Sequence, residues 1–330
     1  MKTVQLIPTS GGVDLIEREA VRPAPGPGEL LIRIHAAGVT PTELEWYPTL
    51  HTKAGGVRAD AVPGHEFSGV VEAVGAGVGL LEIGREIFGM NDWFSEGATA
   101  EYCIAPFEAV AQKPFNLTHS EAASVPIGAL TAWQGLRDRA KLQEGERVLV
   151  HGAAGAVGIF AVQLAKLWGA HVIATASARN LEFVAGLGAD QVIEYGETPF
   201  EEVVTPVDVV FDGVGGETLR RSWSVLKPQG RMVTIAASEE AATEGRVKDA
   251  FFIVVPDQRQ LYLIGEMLRA GTLRTVVDRV VPMSLAPEAY LNSLTRRRRG
   301  KVVIAVAAAR AKSQNTETNP VEWAGQEAYR

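Results

Sequence analysis

The sequence predicts an α/β protein in which a doubly wound parallel sheet follows a compact β-barrel-like domain. The first observation is a glycine-rich turn, at 152–158, that connects an apolar strand directly to a helix. After it, strand-like and helix-like segments alternate up to residue 194, as they do in parallel sheets. The second observation is that the chain before residue 115 consists of short strand-like segments separated by glycine and proline. A length of 330 residues also favours two domains over one core.

The β-barrel-like domain is predicted over residues 1–120. Its strand-like segments include 29–35, 67–75 and 97–102, with glycines where strands would pack closely. Cys103 follows in a strand-like segment, so we expect its thiol to be buried and unreactive. Because it is the only cysteine, the chain can form no internal disulfide and no cysteine cluster for a metal.

The parallel sheet is predicted within residues 121–265. An alanine-rich helical stretch, 121–139, leads into it. The predicted strands are 148–151, 171–176, 191–194, 207–212 and 230–235, and the predicted helices are 157–168, 180–187 and 260–270. Strands at 276–281 and 301–306 are expected to return to the first domain, which assigns 266–310 to it. The polar segment 311–330 is expected to be draped on the surface or mobile.

The glycine-rich turn predicts a site for a pyrophosphate. It directs unpaired N–H groups, and the positive end of a helix dipole, towards one point. Its sequence over 153–158 is Ala-Ala-Gly-Ala-Val-Gly, so alanine replaces the first glycine of the GxGxxG dinucleotide-binding pattern. Gly155 would allow the backbone to approach the pyrophosphate, and Gly158 would allow the helix to pack on the strand. A tight turn without a ligand is the alternative.

The residues after the next strand favour NADPH over NADH. NAD-specific domains carry Asp or Glu about 20 residues after the glycine turn, bonded to the ribose hydroxyls. This chain has Thr-Ala-Ser-Ala-Arg-Asn at 175–180, with no carboxylate. A phosphate on the ribose would find a donor in Ser177 and a counter-charge in Arg179. The alternative is that Arg179 is a solvated residue at a helix start.

Charge and composition argue against several classes of protein. The net charge is −7 and no long basic face is present, which argues against nucleic-acid binding. The four arginines at 296–299 are the exception, and a solvated turn is predicted there. The first residues lack an apolar run of signal-peptide length, and no uncharged stretch is long enough to cross a bilayer. We therefore expect a cytoplasmic protein that does not associate with membranes.

Several further motifs occur in one order along the chain. They are AAGVTP at 36–41, PGHEFSGVV at 63–71, GALTA at 128–132, the glycine-rich turn, FDGVGG at 211–216 and GKVV at 300–303. Through these motifs, residues 20–306 resemble the zinc-independent quinone oxidoreductase branch of the medium-chain dehydrogenase/reductase superfamily. The resemblance implies a GroES-like β-barrel domain, a Rossmann domain and a substrate cleft between them. It further implies a homodimer and hydride transfer from NADPH to a quinone or an activated carbon–carbon double bond.

The chain departs from this family's pattern at one motif and lacks most ligands of the zinc-dependent members. Thr-Pro-Thr-Glu, starting at Thr40, replaces the Asn-Pro-x-Asp of many quinone reductases. Comparison with the zinc-dependent members leaves only His65 and Glu66 as candidate ligands, whereas catalytic zinc normally has three protein ligands. No metal is therefore expected. Without a Lewis acid, a conjugated carbonyl compound is a better substrate than an alcohol, because hydrogen bonds can stabilise its oxyanion.

The candidate site residues form a substrate group and a coenzyme group. The substrate group is expected to line the cleft or form its floor: Thr40, Trp46, Tyr47, His65 and Trp93. The coenzyme group is expected near the pyrophosphate, the ribose phosphate or the nicotinamide: Thr131, Ala154, Gly155, Ala156, Val157, Ser177, Arg179, Tyr195, Val214, Ile235, Ala236, Phe251, Phe252 and Ile253. Packing roles are the alternatives for the aromatic residues and His65, and a bond to its own helix backbone is the alternative for Thr131. The proton would come from water or from the Tyr47 hydroxyl.

These expectations give a functional hypothesis. It is an NADPH-dependent reductase, without zinc, of a small electrophile that is a quinone or an α,β-unsaturated carbonyl compound. One alternative is an enoyl-thioester reductase, which would need a basic groove for the phosphates of a carrier. The other is a protein that binds NADPH for a structural or regulatory purpose with negligible turnover.

Overall fold

The computed structural model describes residues 1–9, 12–79, 83–236, 244–291 and 299–306. The predicted tail at 311–330, and the first three of the arginines at 296–299, lie outside these residues. The described strands form a two-stranded hairpin, a seven-stranded sheet and a five-stranded parallel sheet. The predicted α/β class, with a β-rich domain and a parallel-sheet domain, is confirmed.

The strands are numbered along the chain. They are β1 (Lys2–Thr9), β2 (Gly12–Glu19), β3 (Glu29–Gly38), β4 (Glu66–Val74), β5 (Glu86–Met90), β6 (Tyr102–Pro106), β7 (Val110–Gln112), β8 (Arg147–His151), β9 (His171–Ala176), β10 (Gln191–Glu194), β11 (Val207–Asp212), β12 (Leu226–Thr234), β13 (Val277–Pro282) and β14 (Lys301–Ala305).

The α-helices are numbered in the same way. They are α1 (Tyr47–Leu50), α2 (His119–Ala123), α3 (Pro126–Trp133), α4 (Gly158–Leu167), α5 (Leu181–Ala185), α6 (Phe200–Val203), α7 (Gly216–Ser222), α8 (Gly245–Ala250), α9 (Gln258–Arg269) and α10 (Ala286–Tyr290). In the described part of the chain, no helix is long and apolar enough to span a membrane.

The seven-stranded sheet forms the barrel-like domain. Its order is β13-β14-β3-β4-β5-β7, and β6 pairs with β3. Apolar side chains of β3, such as Leu30 and Ile32, pack with Phe67 and Ile87 in the core of this domain. Cys103 on β6 belongs to the same core, and its burial raises the pKa of the thiol far above its usual range. An unreactive thiol is therefore the expected state.

The predicted strand at 97–102 is wrong in position, because β6 begins only at Tyr102. The backbone at 97–99 bonds instead to the loop at 62–64, with Gly97 N donating to Val62 O at 2.8 Å and Thr99 N donating to Pro63 O at 3.0 Å. A Cβ at position 97 would overlap the Pro63 carbonyl group, so this close approach requires glycine.

The five-stranded sheet has the order β10-β9-β8-β11-β12. The strand order reverses at β8, whose neighbours are β9 on one side and β11 on the other. Parallel sheets of this kind bind ligands in the crevice at the carboxyl ends of the strands beside the reversal point. The strands β8, β9 and β11 end at His151, Ala176 and Asp212, and these residues mark the edge where the site is expected.

The predicted helix at 121–139 is divided. Thr118 caps α2 through a capping box with Glu121, and the chain then passes through Ser124 and Val125 before α3 begins at Pro126. Proline has no N–H, which makes it suited to the first turn of a helix and unsuited to the interior. Residues 134–139 continue α3 as a π-helix.

Candidate active site

The glycine-rich turn is built as the dinucleotide pattern requires. Gly152 has φ of +74°, and Gly155 N donates to Gly152 O at 2.9 Å, so the chain reverses directly after β8. A Cβ on Gly158 would lie 2.6 Å from Cα of Ala153, a distance too short for any side chain at this position. The helix α4 therefore starts in close contact with the turn, with its N-terminus at the carboxyl end of β8.

A cavity of about 550 Å³ extends from this turn along the carboxyl ends of β8 and β9. Its lining contains six of the predicted coenzyme residues: Ala154, Gly155, Ser177, Arg179, Tyr195 and Val214. Of the described residues that line it, none is Asp or Glu, whereas Arg179 and Arg221 are both cationic. Arg221 is already paired with Glu201 at 2.9 Å, so the cradle of backbone groups and the Arg179 guanidinium are the features that suit a phosphorylated dinucleotide. We refer to this space as the adenosine cavity.

The hydrogen bonds of the 177–180 segment leave a donor available in the adenosine cavity. Asn180 Nδ2 donates to Ser177 Oγ at 3.2 Å, so the proton of the Ser177 hydroxyl can be donated elsewhere. Asn180 is itself held by Arg299, whose Nε donates to Asn180 Oδ1 at 2.9 Å. Ser177 is thus in a suitable state to donate to a phosphate oxygen.

Sequence reasoning missed two buried polar residues beneath this cavity. Burial, with a smaller contribution from Arg221, lowers the pKa of His151 to about 3, so its ring is neutral at physiological pH. The Asp212 carboxylate accepts the backbone N–H groups of Val214 at 3.1 Å and of Gly215 at 3.1 Å. The Asp212 side chain thus fixes the loop that follows β11, whereas the His151 ring links β9 to α7 through Thr175 Oγ1 at 2.9 Å and Ser222 Oγ at 3.0 Å. The only sequence signal for His151 and Asp212 is a polar residue at the end of an apolar strand.

A second cavity of about 460 Å³ lies between the two domains, and we refer to it as the cleft. Its lining contains eleven predicted residues: Thr40, Trp46, Tyr47, Trp93, Thr131, Ala156, Val157, Ile235, Phe251, Phe252 and Ile253. The cleft therefore joins the predicted substrate group to part of the predicted coenzyme group. Its surface is largely apolar and aromatic, which suits flat conjugated molecules.

The aromatic side chains of the cleft have distinct contacts. Trp46 packs edge-on against Trp93, with ring centroids 4.6 Å apart. Trp93 Nε1 also donates to Val254 O at 2.9 Å, a bond that connects the barrel domain to the segment after the parallel sheet. Tyr47 is half exposed and stacks on His51 at 4.1 Å. Trp93 is thus a fixed part of the cleft, whereas Tyr47 lies at its solvent side.

Lys301 is a cleft residue that sequence reasoning missed, although GKVV at 300–303 was one of the motifs that carried the resemblance. Its ammonium group is buried, forms an ion pair with the Glu66 carboxylate and donates to Thr40 Oγ1 at 3.1 Å. Glu66 is fully buried and also accepts the backbone N–H of Ile127 at 2.9 Å. Burial raises the pKa of Glu66, while Lys301 opposes this shift.

The segment 299–301 connects three parts of the site. Arg299 donates to Asn180 Oδ1 beside the adenosine cavity, Gly300 N donates to Ala154 O of the glycine-rich turn at 3.0 Å, and Lys301 reaches the cleft. Arg299 is exposed, yet its guanidinium also lies 4.6 Å from the centroid of Phe183. The predicted solvated turn therefore does not describe this arginine, because its side chain packs on the α5 region.

Three predicted residues have positions that refine their assigned roles. His65 is fully buried behind Trp93, at 5.0 Å between ring centroids, and does not line the cleft. Thr131 lines the cleft, but its hydroxyl donates to Ile127 O at 2.6 Å and can only accept a bond from a ligand. Ala236 lines neither cavity, and its carbonyl group lies against the backbone of Gly215.

Comparison with known proteins agrees with this architecture. A family model described as an alcohol dehydrogenase GroES-like domain matches residues 26–115, and one described as a zinc-binding dehydrogenase matches residues 187–304. The probable zinc-binding oxidoreductase, mitochondrial, of Arthroderma benhamiae is 34% identical over 308 residues, which cover 86% of this chain and 92% of that protein. The chain belongs to the medium-chain dehydrogenase/reductase superfamily. The superfamily consists of oxidoreductases that bind a nicotinamide coenzyme.

Within this superfamily the protein is quinone oxidoreductase-like. The solved structure of a quinone oxidoreductase from Coxiella burnetii has a TM-score of 0.82 and 30% identity, and the match covers 93% of this chain and 99% of that one. The mouse NAD(P)H oxidoreductase RTN4IP1, mitochondrial, is 32% identical and is matched over 85% of this chain and 82% of its own length. The predicted GroES-like and Rossmann domains of this superfamily are confirmed.

The residues present do not fit the zinc ion that the family description names. His65 Nδ1 faces the Glu43 carboxylate, and His65 Nε2 faces Ser95 O at 3.2 Å, so both ring nitrogens are directed at acceptor oxygens. The other candidate ligand, Glu66, is occupied by Lys301 and by the backbone N–H of Ile127. Among the described residues, no group of three His, Cys, Asp or Glu side chains is placed to hold a metal.

Proposed function

We propose that this medium-chain dehydrogenase/reductase reduces quinones or α,β-unsaturated carbonyl compounds with NADPH and without a metal. The observation that carries the proposal is the continuity of the site. Ala156 and Val157, from the glycine-rich turn, line the cleft together with Trp46 and Trp93. A coenzyme bound along the turn would therefore present its reactive ring to the aromatic cleft.

The phosphates of the coenzyme would bind in the adenosine cavity, and the acceptor would bind in the cleft. The glycine-rich turn would hold the pyrophosphate through backbone N–H groups, and Ser177 with Arg179 would hold the ribose phosphate. The coenzyme, when bound, supplies a hydride to an electron-poor carbon. Trp46 and Trp93 would orient a flat acceptor and exclude water, and positioning of this kind supplies much of the rate of a hydride transfer.

The test is to follow NADPH absorbance with purified protein and 1,4-benzoquinone, 9,10-phenanthrenequinone and a series of 2-alkenals. We expect NADPH to be consumed with at least one quinone or alkenal. Consumption only with 2-enoyl thioesters would favour an enoyl-thioester reductase. Calorimetric NADPH binding without oxidation of any acceptor would favour a binding protein with negligible turnover, and absence of NADPH binding would reject the proposal altogether.

Replacement of Arg179 by glutamate is expected to lower the preference for NADPH over NADH by about 10-fold or more. The reason is that a charge-assisted bond to the ribose phosphate contributes roughly 1.5–3 kcal/mol, and a carboxylate would instead repel that phosphate and bond the ribose hydroxyls. The measurement is the ratio of kcat/KM for the two coenzymes. Arg18→Glu, the same change of charge on β2 away from both cavities, is the matched control. Equal ratios in the Arg179 variant and the control would show that Arg179 does not bind the ribose phosphate.

A further inference from the structure

The bond between Lys301 and Thr40 fixes the direction of the Thr40 hydroxyl. An ammonium group has only donors, so in the 3.1 Å contact Lys301 Nζ donates and Thr40 Oγ1 accepts. The proton of the Thr40 hydroxyl is then available for another acceptor. Thr40 lines the cleft and is only partly buried, so a ligand in the cleft can be that acceptor.

The Lys301 ammonium group that donates to Thr40 is held in place by buried partners. Lys301 is buried and paired with Glu66, and Glu66 is fixed by the backbone N–H of Ile127. A hydroxyl that accepts from a cation is a stronger donor than a hydroxyl in water, because the two bonds polarise each other. The low exposure of the pair also limits screening by solvent. The Thr40 hydroxyl is thus a strengthened donor in a largely apolar cleft.

We propose that Thr40 is the catalytic hydrogen-bond donor to the carbonyl oxygen of the acceptor, and that Lys301 is its positioning residue. This inference rests on the proposed function. When a hydride is transferred from NADPH to the acceptor, a carbon–hydrogen bond of the donor breaks and one on the acceptor forms. The π electrons of the conjugated system move to the carbonyl oxygen, and that oxygen becomes an anion. The Thr40 bond shortens and strengthens as this charge develops, and water then supplies the proton. The same bond in the ground state is neutral and weaker.

Tyr47 is the competing donor, because its hydroxyl also belongs to the cleft. Its side chain is 55% exposed and stacks on His51, so its donor is solvated before a substrate arrives. A preorganised donor avoids the cost of reorganising solvent, and this favours Thr40. The experiment therefore compares Thr40→Val, Thr40→Ser and Tyr47→Phe.

The direct test uses 4-nitrophenolate as an analogue of the oxyanion, bound to the protein without coenzyme and followed by its absorbance. Thr40→Val is expected to weaken phenolate binding by about 10-fold to 100-fold, the loss of one charge-assisted bond. Nitrobenzene, which has the ring without the oxyanion, is expected to bind the wild-type protein and this variant equally. Thr40→Ser should retain phenolate affinity, and the double variant Glu66→Gln/Lys301→Met should lose it with Thr40 still present.

Turnover supplies the second readout. In Thr40→Val we expect kcat to fall by about 10²-fold with little change in the KM for the acceptor, because the bond gains its strength only as charge develops. Unchanged phenolate affinity in Thr40→Val, or loss in Tyr47→Phe alone, would overturn the proposal. The phenolate titration needs neither NADPH nor turnover. Its result therefore tests the role of Thr40 independently of whether the protein reduces quinones or enones.

Discussion

Gly158→Ala is expected to weaken NADPH binding by about 100-fold and to lower the free energy of unfolding by about 1–3 kcal/mol. The added Cβ would lie 2.6 Å from Cα of Ala153 and would overlap the carbonyl oxygen of Gly152, both of which belong to backbone that cannot rotate away. Helix α4 would have to move from the turn, and its N–H groups would no longer converge on the pyrophosphate. Calorimetry with NADPH and urea unfolding measure the two effects.

Gly245→Ala is the matched control for this prediction. Gly245 is also the first residue of a helix, α8, and a Cβ there would meet no atom within 4 Å. Alanine at that position should leave coenzyme affinity unchanged and stability unchanged or slightly increased, because it restricts the unfolded chain. Equal affinities for NADPH in the two variants would show that the contact between α4 and the turn does not form the pyrophosphate site.

The parts of the site that depend on local sequence could be predicted. Gly155 and Gly158 indicate the turn because their spacing is set by the geometry of one strand, one turn and one helix. The absence of a carboxylate between Thr175 and Asn180 is likewise a local property, and the structure places Ser177 and Arg179 in the adenosine cavity. Elements of the parallel sheet also agree closely, since a buried strand is a short apolar run bounded by turns.

The parts that depend on distant pairs could not be predicted. Lys301 and Thr40 are 261 residues apart, and no local pattern indicates that their side chains meet. The sequence predicts His65 at the floor of the cleft, but its fully buried ring packs against Trp93 and does not line the cavity. A single sequence carries residue types and spacing, whereas the contact between Lys301 and Thr40 is set by how β14 returns to the barrel domain beside β3.

Lys301→Met is expected to destabilise the protein by about 3–5 kcal/mol at neutral pH, the largest effect on stability that we predict. The variant leaves the Glu66 carboxylate fully buried without its cation, and an uncompensated buried charge costs this much. Methionine fills a volume similar to that of the lysine stem, so little packing is lost. The expected loss of stability therefore comes from the Glu66 carboxylate, which stays buried without its cation. Urea unfolding at constant pH is the measurement.

The pH dependence of the loss of stability in Lys301→Met identifies the cause of that loss. Burial already raises the pKa of Glu66 above its ordinary value of 4.5, and loss of Lys301 removes the contributions that oppose the shift. The folded protein then holds the Glu66 proton at pH values where the unfolded chain has released it, so stability falls as pH rises through about 4.5 and beyond. The deficit of Lys301→Met relative to wild type should therefore be small below pH 4.5 and should grow towards neutral pH.

The double variant Glu66→Gln/Lys301→Met separates an unpaired charge from a packing defect. The amide introduced in place of the Glu66 carboxylate can still accept the backbone N–H of Ile127 through its carbonyl oxygen, and no charge remains to be compensated. We expect this variant to regain most of the stability lost in Lys301→Met, and its difference from wild type should depend on pH less strongly than that of the single variant does. A double variant as unstable as Lys301→Met, with the same response to pH, would show that the methionine packs badly and that the ion pair is not the source of the loss.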